Sequence, residues 1–86
     1  MTSKQLKELR SSPVPDSGNR ITIACELIEK TQMDCSRATG LTPQYVSDMA
    51  RGRFRNISID NARKFAGFFG CYIEDLFPAN ELERVS

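Results

Sequence analysis

Arg51, Arg53 and Arg55 stand within five residues that contain no acid, and Asn56 follows them directly. A guanidinium is a planar fork of donors that bonds phosphate oxygens in pairs, so phosphate contact is the favoured reading of this loop over an ordinary solvated surface. Phe54 sits among the arginines and is expected to pack beneath the loop rather than against a sugar. Four acids, Glu74, Asp75, Glu81 and Glu83, lie together near the other end, with only Arg84 among them. The formal net charge is +1, from twelve Lys plus Arg against eleven Asp plus Glu, so polyanion binding rests on this asymmetry and not on overall charge.

Catalytic chemistry has few candidates. Histidine is absent, Gly67 and Gly70 do not form a phosphate-cradling loop, and Glu74 and Asp75 are neighbours that point apart on a helix. No enzyme activity and no cofactor are expected. Three cysteines, Cys25, Cys35 and Cys71, at wide spacing and without histidine do not make a zinc set. They read as small hydrophobes in a reducing compartment. No apolar run approaches a membrane span, and the first ten residues lack the hydrophobic stretch of a signal peptide, so a cytoplasmic protein is expected.

The elements that must position these residues follow from breakers and periodicity. Ser11 to Gly18 holds two prolines and a glycine and reads as a linker. The residues ahead of it, with Leu6 and Leu9 on one side of a possible short helix, read as an arm, so 1–18 is arm and linker. Ile21, Ala24, Cys25 and Ile28 recur at helical spacing and predict a helix over Arg20 to Lys30. A second helix is predicted over Gln32 to Thr39, with Met33, Cys35 and Ala38 inward and Gly40 as a left-handed cap. Thr42 caps a third, with Pro43 at its first position and Gly52 closing it; Val46, Met49 and Ala50 face inward, and Gln44, Ser47, Asp48 and Arg51 face away. Ser58 caps a fourth, in which Ile59, Ala62, Phe65, Ala66 and Phe69 repeat up to Gly70. A last turn, Tyr72 to Phe77, ends at Pro78. The expectation is an all-α fold of five short helices over 19–78, without strands, followed by a tail over 79–86.

Two short helices joined through Gly40-Leu41-Thr42 give the angle at which one helix crosses a DNA backbone while the next enters the major groove. The run TQMDCSRATGLTPQYVSDMARG resembles the helix-turn-helix of the Cro/C1 (Xre-type) repressor family, and SIDNARKFAGFFGCYIEDLFP resembles that family's two closing helices. The resemblance covers about two-thirds of the chain, Ile21 to Pro78, and implies a lambda-repressor-like DNA-binding domain. Cys35, Ser36 and Thr39 depart from the family's usual Leu, Ala and Leu, which implies looser packing of the second helix.

Carried over by position, the resemblance makes Gln32 a phosphate clamp and Gln44 the chief base reader, its amide matching N6 and N7 of adenine. The Thr42 and Ser47 hydroxyls and nearby amides would hold phosphates, Pro43 is counted among the DNA-binding positions, and Tyr45 and Asp48 would lie near bases or sugars. Asp48 departs from a phosphate-facing pattern; the favoured reading pairs it with Arg51 or Arg55, and the alternative has it accept from cytosine N4. The implied partner is a double-stranded DNA operator bound by a homodimer, with dimer contacts from the aromatic end near Tyr72 to Phe77 or from Leu6 and Leu9. Repression or autoregulation is the implied function. The alternative is a protein-interaction module of antitoxin or adaptor type on the same fold, since Phe65, Phe68, Phe69, Tyr72 and Phe77 exceed what so small a core needs.

Overall fold

The computed structural model describes residues 1–54 and 56–78, together with the backbone of 81–83. Among the described residues six helices run in chain order: α1 Ser3–Ser11, α2 Ile21–Ile28, α3 Gln32–Thr39, α4 Pro43–Arg51, α5 Ile59–Phe69 and α6 Ile73–Leu76. Local chemistry sets their limits. Thr31, Thr42 and Ser58 each accept the amide three residues on, which satisfies an otherwise orphaned donor of the first turn. Gly40, Gly52 and Gly70 close α3, α4 and α5 in the left-handed conformation.

The helices bury one core. Ile21, Val46, Met49, Phe65, Phe69 and Leu76 are all at most 1% exposed, and Phe77 meets Phe65 edge-on at 5.7 Å. Cys25 and Cys35 are buried and Cys71 half-buried. Loss of hydration pushes the Cys25 thiol up to about 11 and Cys35 up to about 12, so both stay neutral hydrophobes.

Two features depart from the sequence reading. The N-terminal segment is not a free arm: α1 packs on α2 and α6, with Leu9 fully buried. Gln5 Nε2 donates to Leu27 O at the end of α2, 3.0 Å away, and Arg10 grips Asp75 with two hydrogen bonds of 2.7 and 3.2 Å. Arg20 donates to Ser12 O and Asp75 O, drawing the linker down between α1 and α6. These long-range bonds explain how nine residues hold a helix that could not persist alone. The second departure is a short parallel pair, β1 Asn56–Ser58 against β2 Glu81–Glu83, with Ile57 opposite Leu82. Residues expected to be loop and tail therefore pair through their backbones, and Ile57 is buried. Smaller corrections concern α3, where Met33 and Ala38 are exposed and Ser36, with Cys35, takes the inward side.

The Arg10 hydrogen bonds hold the Asp75 carboxyl below the usual carboxylate range, against the opposing effect of burial, and the Tyr72 amide adds to the lowering. A depressed folded-state value stabilises the fold above the unfolded value, about 3.9, and the contribution disappears as pH falls through the folded value. We therefore expect urea midpoints measured from about pH 6 down to about pH 2 to fall less steeply for Asp75→Asn than for wild type. Parallel acid limbs would show that this ion pair contributes nothing.

Candidate nucleic-acid interface

The turn between α3 and α4 is braced by hydroxyls. Thr39 Oγ1 donates to Cys35 O at 2.7 Å and accepts from the Leu41 amide at 3.2 Å, while Ser36 Oγ donates to Leu41 O at 2.5 Å. Ser36 and Thr39, which looked like weak core residues, thus fix the angle between the two helices through bonds that apolar side chains cannot make. Gly40 supplies the positive φ of 78° that the turn requires.

At the other end of α4 the chain is held from behind. Asn19, 1% exposed, donates through Nδ2 to Met49 O at 2.6 Å and accepts the Ile21 amide on Oδ1, so one side chain ties the last turn of α4 to the first turn of α2. The Gly52 amide closes α4 onto Asp48 O and Met49 O together with the Arg53 amide. Ser17 backbone lies so near that a Cβ on Gly52 would stand 2.5 Å from Ser17 O.

Between these anchors α4 presents a polar face. Thr42, Pro43 and Gln44 are exposed at its N-terminus, Ser47 is half-exposed one turn on, and Arg51 is exposed at the end. The Thr42 oxygen accepts the Tyr45 amide, which leaves its hydroxyl proton for an external acceptor. Gln32 is half-buried at the first position of α3, where free amides and the helix dipole favour an anion. Asn56 is exposed at the start of β1. Arg55 lies outside the described residues.

Two expected site residues have internal partners. Tyr45 lies between Phe54 and Phe65, with ring centroids 5.9 and 6.4 Å away, and its hydroxyl accepts from Asn61 Nδ2 at 3.1 Å. Its ring is thus shared between core and loop, and it carries Phe54, 42% exposed, on its outer side. Among the described residues Asp48 pairs with Arg53 and not with Arg51. Its Oδ1 accepts from Gln44 Nε2 at 3.0 Å and lies 3.5 Å from Arg53 Nε. The closing cap of α4 explains the choice of arginine, because the Arg53 amide bonds Asp48 O at 3.0 Å and brings the following residues back over the helix end.

A family model described as Helix-turn-helix matches residues 26–76, which contain α3, the turn, α4, β1, α5 and α6. The chain belongs to this helix-turn-helix family. Its Cro/C1-type (Xre) character agrees with a relative, the SPbeta prophage-derived uncharacterized HTH-type transcriptional regulator YotL of Bacillus subtilis (strain 168), 39% identical over 51 residues. That match covers 59% of this chain and 64% of the relative, so the chain matches somewhat less than two-thirds of that protein's length. No solved structure matches. Membership of the helix-turn-helix family is consistent with DNA-binding transcriptional regulation, and no described helix is long and apolar enough to cross a membrane. Asn19 and Asn61 were missed by sequence reasoning. The bonds that matter here, Asn19 to Met49 O and Asn61 to the Tyr45 hydroxyl, reach helices far along the chain and leave no local signal.

Proposed function

We propose that the protein is a sequence-specific transcriptional regulator of Cro-like repressor or autoregulator type, which reads a DNA operator with α4 in the major groove. The observation that carries this is the α4 surface: exposed Gln44 and half-exposed Ser47 on a helix anchored at both ends, with Arg51 and Arg53 at its exit. A Gln amide offers a donor and an acceptor side by side for adenine, while Thr42, Gln32, Asn56 and the arginines, Arg55 among them, suit phosphates. One such helix reads only a few base pairs. Two-fold dimers on half-sites about one helical turn, roughly 34 Å, apart would supply the remaining affinity. The surface we assign to dimerisation is the aromatic end, where Tyr72 is 69% exposed and Phe68 half-buried.

Binding to its own upstream DNA across a salt series tests the reading. Arg51→Ala is expected to weaken binding to all duplexes alike and to lower the salt slope by about one. Gln44→Ala should instead cost about 1–3 kcal/mol on the preferred site and little on random duplex. A folded wild type without site preference would sink the regulator reading in favour of a protein-interaction module, with Tyr72 as the first residue to test.

A further inference from the structure

Asp48 presents a physical puzzle that the groove-reading role does not resolve. A carboxylate on the groove-facing side of α4 repels the phosphates that α4 must approach. Its side chain is nevertheless only 14% exposed, covered by Gln44 Nε2 at 3.0 Å and by Arg53 Nε at 3.5 Å. Both partners are polar, and Gln44 belongs to the exposed first turn from which bases would be reached.

We propose that Asp48 is a specificity-determining positioning residue: it holds the Gln44 amide in one orientation and so selects adenine against guanine. This rests on the reading above, in which α4 enters a major groove. A free glutamine amide can turn over and offer either its NH2 or its carbonyl to a given base edge. An ionised carboxylate accepts only, so it takes the NH2 side and fixes which edge of the amide is which. One N–H of Gln44 is then committed to Asp48, and one N–H with the carbonyl oxygen remains. That pair complements adenine, whose N7 accepts and whose N6 donates. Guanine presents acceptors at both N7 and O6, and the remaining single N–H cannot serve both while the carbonyl faces O6. Arg53 completes the arrangement by offsetting the Asp48 charge from the side of the exit loop, at the cost of part of its own availability to phosphate.

The test uses the full chain and a duplex library with randomised positions, from which wild type selects a site; affinities are then measured on that site and on its single-base variants. Wild type should prefer A·T over G·C at one position of each half-site by about tenfold or more. Asp48→Ala should bring that one ratio to within about threefold, leave the preferences at other positions in place, and leave the thermal midpoint within a few degrees. Asp48→Asn retains an acceptor oxygen without the charge. It should keep more of the adenine preference than Asp48→Ala, while tightening binding to every duplex and steepening the salt dependence. An Asp48→Ala protein with the wild-type ratio, or one that loses preference at all positions together, overturns the assignment. A wild type that selects no site at all overturns the groove reading itself, which is a separate and recognisable result.

Discussion

Gly52→Ala is expected to lose about 3 kcal/mol of stability or more, whereas Gly40→Ala should lose about 1 kcal/mol. Both glycines close helices at the same φ of 78°, so the conformational strain of placing a Cβ there is common to the two. Their surroundings differ. Nothing lies within 4 Å of a Cβ on Gly40, but one on Gly52 would meet Ser17 O at 2.5 Å, Ser17 Cα at 2.6 Å and Ser17 C at 2.9 Å. These are backbone atoms next to buried Gly18 and Asn19, so they cannot swing aside as a flexible side chain would. Relief would have to come from moving the linker off α4 or from rotating the cap that sets Arg53 beside Asp48. Urea denaturation of the two variants measures the difference directly, and equal losses would mean that the linker does not press on the end of α4.

Leu9→Ala should cost about 2–5 kcal/mol, the usual range for emptying a fully buried leucine site. For a domain of this size that corresponds to a fall of roughly 10–30 °C in thermal midpoint. A leucine on a free arm would lose less than about 0.5 kcal/mol, so the experiment separates an integral α1 from an appended one. Leu6→Ala, at a half-buried position on the same helix, should cost markedly less.

The contrast between α1 and α4 shows what kind of information lay in the sequence. The limits of α3 and α4 were legible to the residue because Thr31, Gly40, Thr42-Pro43 and Gly52 act on their immediate neighbours. The amphipathic repeat of α5 was legible for the same reason. What escaped depended on residues far apart: Leu9 entering a core built by later helices, Arg10 reaching Asp75, and Asn56–Ser58 pairing with Glu81–Glu83. A breaker-rich stretch marks where helix stops but not whether the chain returns, and Pro13 and Pro15 were compatible with either. In the candidate interface, the outward face of α4 was readable from periodicity, including Gln44, Ser47 and Arg51. The partner of Asp48 was not, because it is set by a cap that folds Arg53 back, and Tyr45 could not be placed without knowing that Asn61 and Phe65 lie beside it.

The bond between Arg10 and Asp75 spans 65 positions. Because a chain emerges from the ribosome in order, α1 is synthesised well before α6, and its nine residues are too few to keep a helix in the meantime. Until α6 has emerged, α1 therefore lacks the carboxylate that Arg10 grips and has only part of its packing surface. During that interval Leu9 is exposed to whatever other apolar surface, chaperone or neighbouring nascent chain it meets.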